Sequence, residues 1–230
     1  MLRVDELDVF HGDAQALDGV SLEIAEGTIA AIVGANGAGK TSLIRTIAGI
    51  HRPARGRIAF RDTDITGWES YRVCNLGIGQ VAEGRQIFPS LSVAENLDVG
   101  AMLPRARGRR AENLDRVLAL FPVLAERSNQ AAGTLSGGEQ QMLAVSRALA
   151  GDIKVLLLDE ISMGLAPIIV GELFELVASV ASGGVTVVVV EQFAETALGV
   201  ADRAAIMLHG RVAHEGTPAE MAAAAESAYL

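Results

Sequence analysis

The stretch Gly34-Ala35-Asn36-Gly37-Ala38-Gly39-Lys40-Thr41 decides the fold of this chain. It follows an apolar run at residues 29–33 and precedes residues 42–49, whose pattern predicts a helix. Its three glycines let successive backbone N–H groups converge on an anion, and the following helix adds the partial positive charge of its N-terminus. The spacing fits the pattern G-x-x-x-x-G-K-[ST]. We therefore predict a nucleotide-binding loop, called the phosphate loop, at residues 34–41.

Each residue of the phosphate loop has an expected contact with the nucleotide. Lys40 can reach the β- and γ-phosphates as a mobile charge, and the Thr41 hydroxyl can ligate Mg²⁺. The remaining residues are expected to bind phosphate through their backbone; they are Gly34, Ala35, Asn36, Gly37, Ala38 and Gly39.

Length, composition and charge limit the class of protein. A chain of 230 residues, 50% hydrophobic and 20% charged, is typical of one well-buried globular domain. The net charge of −9 provides no general basic surface, so we expect no nucleic-acid partner. Cys74 is the only cysteine, which excludes an intrachain disulfide, and we expect it to be a small buried hydrophobe. No signal peptide or apolar run long enough to span a bilayer is visible, so we expect a cytoplasmic protein that meets a membrane through a partner.

The one basic run, residues 105–110, is expected to be a solvated loop that opens a helix. Contact with anionic lipid beside a membrane partner is the alternative. Nucleic-acid binding is disfavoured, because no aromatic residues are interleaved with the arginines.

Hydrophobic patterning predicts an α/β fold. Alternating strands are predicted at 7–10, 20–24, 28–33 and 57–60, the last joining the early strands in an antiparallel sheet. Helices with three- and four-residue apolar spacing are predicted at 93–102, 110–121 and 138–149, the first with a capping box of Ser92 and Glu95. The runs 155–158 and 185–190 are continuously apolar apart from Thr186, as in central parallel strands covered on both faces. A helix at 168–181, further strands at 204–208 and 211–214, and an Ala-rich helical tail follow.

Two acids follow the predicted strand 154–158. A buried strand that ends in Asp159 and Glu160 delivers both carboxylates to the carboxyl edge of the sheet, opposite the phosphate loop. Asp159 is therefore the expected Mg²⁺ partner, directly or through water. Glu160 is placed to orient the attacking water.

A second anion-binding helix start is predicted at residues 135–141, called the signature segment. Ser136 suits an N-cap, and Gly137 and Gly138 allow close backbone approach to an anion. Taken alone, the segment could equally cap a helix and bind nothing.

Residues 34–41, 135–141 and 155–160 resemble, in that order, the Walker A, signature and Walker B motifs of ABC-type ATPases, and the similarity covers essentially the whole chain. The resemblance implies a P-loop NTPase (RecA-like) core with an N-terminal antiparallel β-subdomain and a helical ABC-specific subdomain. One ABC ATPase domain would fill residues 1–230. Within it, 1–83 and 152–230 would form the core and 84–151 the helical signature subdomain.

Further segments narrow the resemblance. Residues 83–91, 162–167 and 190–192 are similar to an ATPase subunit of branched-chain amino acid importers, the one that is partnered by a second, different ATPase. The resemblance implies Mg²⁺-ATP hydrolysis in a head-to-tail hetero- or homodimer, with each ATP between the phosphate loop of one subunit and residues 136–138 of the other. It also implies transmembrane permease subunits, an extracytoplasmic substrate-binding protein reached through them, and a place on the inner face of the membrane.

Several positions depart from the broad family pattern. The lid position that touches Mg²⁺ is assigned by spacing to Glu83, with Gln80 nearby. The switch position, usually His, is Gln192, which can donate a hydrogen bond to a γ-phosphate but cannot carry a proton as imidazole does. With Lys40 and Glu160, Gln192 completes the expected catalytic set. Ile161 stands where Pro is usual, and Ala166 where many members have Asp.

The adenine-stacking aromatic of the family precedes a glycine near the N-terminus, which gives His11 before Gly12, with Phe10 as the alternative. Two alternative functions also stay open at this point. One is a non-transport ABC ATPase. The other is a regulatory nucleotide-binding module with weak turnover, suggested by Gln192 and Ile161.

Overall fold

The computed structural model describes residues 1–228, without the side chains of residues 194 and 225–228. The strands are Leu2–His11 (β1), Ala14–Ile24 (β2), Ile29–Val33 (β3), Arg55–Phe60 (β4), Thr63–Asp64 (β5), Ile78–Val81 (β6), Val155–Asp159 (β7), Thr186–Glu191 (β8), Arg203–Leu208 (β9) and Arg211–Gly216 (β10). The helices are Lys40–Ile47 (α1), Ser70–Leu76 (α2), Val93–Ala101 (α3), Arg110–Leu120 (α4), Pro122–Glu126 (α5), Gly137–Ala150 (α6), Pro167–Ser182 (α7), Ala194–Leu198 (α8) and Pro218–Ala228 (α9). The predicted Ala-rich tail is α9, and residues 229 and 230 lie outside the described residues.

A six-stranded sheet forms the centre of the molecule, in the order β10-β9-β3-β8-β7-β6. All neighbouring pairs are parallel except β10 with β9. The register pairs Val33 with Glu191 and Asp159 with Val190, so β3, β8 and β7 end at the same edge. The predicted central strands are therefore confirmed, and the phosphate loop and the Asp159–Glu160 pair leave the same edge of the sheet, from the two strands that flank β8.

The early strands form a separate antiparallel sheet in the order β2-β1-β4-β5. As predicted, β4 joins it by pairing with β1, from Leu2 opposite Phe60 to Asp8 opposite Arg55. The α/β prediction is confirmed.

Two hydrophobic cores lie on the two faces of the central sheet. Val189 and Leu158 belong to the core shared with α3, α6 and α7, whereas Val188 and Leu157 belong to the core shared with α1 and the antiparallel sheet. Each core strand therefore supplies alternate side chains to different cores. Burial on both faces explains why these strands read as continuous apolar runs.

The predicted helices between residues 93 and 149 are confirmed, with no bound shifted by more than one residue. Ser92 caps α3 through the predicted capping box: its Oγ accepts from the Glu95 N–H at 3.1 Å, and Glu95 accepts from the Ser92 N–H at 2.7 Å. No helix among the described residues has both the length and the apolar character needed to cross a membrane.

Two expectations about single residues need correction. Cys74 is half-buried rather than buried, and this partial burial raises the pKa of its thiol. The basic run is not a solvated loop throughout, because the Arg105 side chain is only 18% exposed and lies 3.7 Å from Asp152. Arg109 and Arg110 also have acidic partners, Glu112 and Asp98. These partners neutralise much of the charge that a lipid contact would need.

Candidate functional site

The phosphate loop joins the end of β3 to the start of α1, as predicted. A side chain at Gly34 would place its Cβ 2.4 Å from the Met207 carbonyl oxygen, on the end of the neighbouring strand β9. Gly39 adopts φ +102°, and a Cβ there would lie 2.7 Å from the Ala16 carbonyl oxygen. Both positions therefore require glycine, and the loop is held between two strands before any ligand arrives.

Lys40, the first residue of α1, points back over its own loop. Its side chain is 3% exposed, and its Nζ donates to the carbonyls of Gly34 at 2.8 Å and Ala35 at 3.1 Å. The same Nζ lies 3.2 Å from Glu160 Oε1. The ammonium group therefore lies where the phosphate loop meets the carboxyl edge of the sheet.

Thr41 and Asp159 meet across this edge. Thr41 Oγ1 donates to Asp159 Oδ1 at 3.0 Å, and Asp159 Oδ2 is buried without a hydrogen-bond partner among the described residues. Burial raises the pKa of the Asp159 carboxyl; the hydrogen bond from Thr41 opposes this shift, whereas the negative charges of Glu160 and Glu83 reinforce it. A buried oxygen without a partner beside a hydroxyl fits Mg²⁺, which takes oxygen ligands and often only one or two carboxylates.

Glu160 adopts a left-handed backbone conformation, with φ of 47°. Its N–H donates to the Val190 carbonyl at 3.0 Å, which ties the residue to β8 just beyond the end of β7. A non-glycine residue in this conformation is uncommon and often occurs at functional sites. Here it turns the side chain towards Lys40.

Glu83 lies beyond the end of β6 and lines a cavity of about 570 Å³ that also contacts Glu160, Gln141 and Met163. The described residues contain no cluster of three or more His, Cys, Asp or Glu suited to a metal ion. Gln80, the other candidate for the lid position, lies within β6, where its Nε2 is buried without a partner. The negative charge of Glu83 helps to raise the pKa of the Asp159 carboxyl. Of the two candidates for the lid position, Glu83 is therefore the one close to the predicted Mg²⁺ partner.

Gln192 directly follows Glu191, which pairs with Val33 at the end of the strand before the phosphate loop. His11 ends β1, and its Nε2 lies 3.0 Å from the Ser42 hydroxyl near the start of α1. Phe10 is exposed beside it, so adenine stacking by His11 or Phe10 stays a prediction.

The signature segment leads into α6, with Ser136 as its N-cap. Ser136 Oγ accepts from the Glu139 N–H at 3.3 Å, and Glu139 accepts from the Ser136 N–H at 2.8 Å. Within the described part of the chain, no hydrogen bond or ion pair joins residues 136–138 to the phosphate loop. The two predicted phosphate-binding elements therefore make no polar contact with each other among the described residues of one chain.

Two residues near these elements were given no role from the sequence. Arg85 Nη1 donates to Gln140 Oε1 at 2.8 Å, and its guanidinium occupies the space that a Cβ on Gly137 would need. Glu191 is buried at the end of β8 and contacts Ser162, two residues beyond Glu160. An acid at the end of an otherwise apolar strand was the available signal for Glu191. Arg85 offered no such signal.

Comparison with known proteins agrees with this geometry. The family model described as "ABC transporter" matches residues 17–162. The chain is 44% identical over 221 residues to the high-affinity branched-chain amino acid transport ATP-binding protein BraG of Pseudomonas aeruginosa, covering 96% of this chain and 94% of that protein. It is 33% identical to the probable branched-chain amino acid transport ATP-binding protein LivF of Archaeoglobus fulgidus, with coverage of 96% and 94%.

The fold is shared with a solved ATP-binding cassette of an ABC transporter in its ADP conformation. The TM-score is 0.86 at 28% identity, and the match covers 94% of this chain and 91% of that one. This likeness confirms the predicted P-loop NTPase fold, and it agrees with the phosphate loop, Lys40 and Asp159 meeting at one sheet edge. The chain is a member of the ABC transporter family and binds nucleotide.

Proposed function

We propose that the chain is the ATP-binding and ATP-hydrolysing subunit of an importer for branched-chain or related amino acids. The observation that carries the proposal is the cluster in which Lys40 contacts Glu160 while Thr41 contacts Asp159 beside the phosphate loop. The substrate class is inferred from the branched-chain amino acid transport proteins to which the chain is 44% and 33% identical.

The side chains of this cluster divide the chemistry between them. Lys40 exchanges its contacts with the Gly34 and Ala35 carbonyls for phosphate oxygens. Glu160, which lies beside Lys40, accepts a hydrogen bond from the attacking water and orients it. Gln192 donates a hydrogen bond to the γ-phosphate.

The residues present suit a magnesium ion bound together with ATP. Thr41 and Asp159 would hold it, with Glu83 at the border of the site, and the ion would neutralise charge on the phosphates. Asp159 needs no rearrangement to serve, because its Oδ2 is already buried and unpaired among the described residues.

The site is completed by a second ATPase subunit. Residues 136–138 make no polar contact with the phosphate loop of their own chain within residues 1–228, although Ser136 and the N-terminus of α6 suit an anion. A head-to-tail pair, hetero- or homodimeric, would place this helix start over the phosphate loop of the partner subunit. The described chain therefore supports a composite site.

An apolar cleft of about 770 Å³ on another face of the molecule is a candidate surface for binding a protein partner. Among its lining residues, Ile50 is 54% exposed and Tyr71 is 71% exposed. Gln80 of β6 also lines the cleft, and the chain continues from β6 to Glu83 at the site. We propose that permease subunits contact this cleft, which places the chain on the inner face of the membrane and the extracytoplasmic binding protein beyond the permease.

Glu160→Gln tests the hydrolytic assignment. In a complex purified with its permease and partner subunit, we expect ATP hydrolysis to fall about 100-fold or more, because the amide is a poor base. ATP binding should be retained, because Lys40 and the loop are intact, and an ATP-bound dimer should accumulate. Unchanged turnover in this complex would contradict the role of Glu160.

The transport assignment is tested with the same complex in vesicles supplied with binding protein. Leucine, isoleucine or valine should raise the ATPase rate and accumulate in an ATP-dependent manner, and both effects should be lost in Glu160→Gln. A chain that hydrolyses ATP without any response to permease or amino acid would instead support a non-transport ATPase. A wild-type chain that binds ATP with negligible turnover in the complex would support the regulatory module.

A further inference from the structure

Glu191 is a buried carboxylate that has no role in the ATP hydrolysis proposed above. It is the last residue of β8, and only 2% of it is exposed. A buried acid is costly unless its oxygens are hydrogen-bonded. Its partners therefore show what it does.

Both carboxylate oxygens of Glu191 bind the same residue. Oε1 accepts from the Ser162 backbone N–H at 3.0 Å, and Oε2 accepts from the Ser162 hydroxyl at 2.7 Å. Two parallel hydrogen bonds fix the orientation of Ser162 as well as its distance from β8. Burial raises the pKa of the Glu191 carboxyl, whereas the two bonds from Ser162 favour its ionised form.

Ser162 belongs to the turn that carries Glu160. Glu160 starts this turn in the left-handed conformation, which is unfavourable for a residue with a side chain and persists only where neighbours hold it. Its N–H donates to the Val190 carbonyl, and two residues later Ser162 is held by Glu191. The turn is thus attached at both ends to consecutive residues of β8.

We propose that Glu191 is a positioning residue for ATP hydrolysis, which holds the turn at residues 160–162 so that the Glu160 carboxylate stays beside Lys40 and the phosphate loop. This inference rests on the proposed role of Glu160. Because Gln192 is the next residue, the same two hydrogen bonds also help to hold the backbone from which the Gln192 side chain extends.

Four variants in the permease-bound complex test the proposal. Glu191→Ala removes both acceptors, and we expect kcat for ATP hydrolysis to fall about 10-fold or more, with KM and ATP affinity within about twofold of wild type. Ser162→Ala removes one of the two bonds and should lower kcat by about threefold. The double variant should be no slower than Glu191→Ala, because both changes break the same link.

Glu191→Gln separates geometry from charge. Its amide oxygen can accept from the Ser162 N–H while its NH₂ donates to the Ser162 hydroxyl, so we expect kcat to stay within about threefold of wild type. Ser182→Ala is the matched control, because the Ser182 hydroxyl also makes one hydrogen bond, to the Ala178 carbonyl on α7, and its loss should not alter kcat.

Two results would overturn the inference while the wild-type complex remains active: wild-type kcat in Glu191→Ala, or losses for Glu191→Ala and Ser162→Ala that multiply in the double variant. If Glu191→Ala does not fold, Ser162→Ala and Glu191→Gln test the inference instead. Full activity of Ser162→Ala together with loss of activity in Glu191→Gln would also overturn the inference. A wild-type complex without ATPase activity would instead refute the proposed function.

Discussion

Lys40 is held in place by groups of the protein itself. Its side chain is 3% exposed, and its ammonium group contacts two loop carbonyls and Glu160. A buried charge needs such partners, because an unpaired one would be costly. The same contacts order the side chain beside the phosphate loop, so the phosphate contact proposed for Lys40 would replace existing partners and would not require the lysine to become ordered.

We expect Lys40→Ala to weaken nucleotide binding by about 10-fold or more, because a hydrogen bond to a charged group contributes ~1.5–3 kcal/mol. Titration with a fluorescent nucleotide measures this change. Lys154→Ala is the control, because Lys154 is the only other lysine and its side chain has no hydrogen bond or ion pair with the described residues. Equal affinity of Lys40→Ala and wild type would contradict the assigned phosphate contact.

At the scale of residues, the sequence predicted those roles that depend on neighbours along the chain. Lys40, Thr41 and Asp159 are recognisable because a loop or a strand end presents them in a fixed order. The role of Glu191 depends instead on a partner 29 positions away, which the pairing of β7 with β8 brings into contact. Such a contact has no local pattern, so only the structure reveals it.

Helices α3 and α6 start in the same way, although only α6 is expected to bind phosphate. Ser92 and Ser136 are both N-caps of complete capping boxes, with Glu95 and Glu139 in the reciprocal position. The cap itself therefore says nothing about a ligand. The expected difference is that the N-terminus of α6 faces the nucleotide of a partner subunit.

Ser136→Ala and Ser92→Ala form a matched pair for testing this difference. Each should destabilise the chain by about 1 kcal/mol, seen as similar falls in melting temperature, because each loses the same cap. Only Ser136→Ala should also lower the ATPase kcat of the assembled complex, by about 10-fold or more, since a donor to the phosphate is lost. Equal ATPase rates for the two variants would show that Ser136 only caps its helix.

Among the elements, the long periodic or continuously apolar segments were predicted, whereas the short elements α2, α5 and β5 were missed. The central strands and α3, α4, α6 and α7 carry enough apolar positions for their period to be visible. The missed helix α2 has seven residues, no side-chain cap and no acid in its first turn. Val73 of this helix is buried in the core shared with α1 and the antiparallel sheet. Tertiary packing, and not local helix preference, therefore stabilises α2.

For the whole molecule, the proposed composite site, in which residues 136–138 of one subunit face the phosphate loop of the other, predicts complementation between damaged subunits. A Lys40→Ala chain keeps its signature segment, and a Ser136→Ala chain keeps its phosphate loop. In a mixture, a pair made of one of each contains one intact composite site. Random pairing of copies makes half of the pairs mixed, so about a quarter of all sites would be intact.

We therefore expect a mixture of the two variants to hydrolyse ATP at about a quarter of the wild-type rate, above either variant alone, because half of the pairs are mixed. The measurement is the ATPase rate of equal amounts of each chain at a fixed total concentration, with wild-type chain setting the scale. A mixture no faster than its components, beside an active wild type, would argue against sites shared between copies of this chain.

The position of β3 at the middle of the sheet has a consequence for how the protein is made. Its neighbours β8 and β9 come much later in the chain, and the Gly27 N–H before β3 donates to Thr186 Oγ1, 159 positions further on. At about 5–20 residues per second, a ribosome needs roughly 10 to 30 seconds to supply that stretch. Throughout this interval the strand that bears the phosphate loop has no sheet neighbours. Nucleotide binding is therefore among the last properties that the nascent chain acquires, and a nucleotide cannot guide the early steps of its folding.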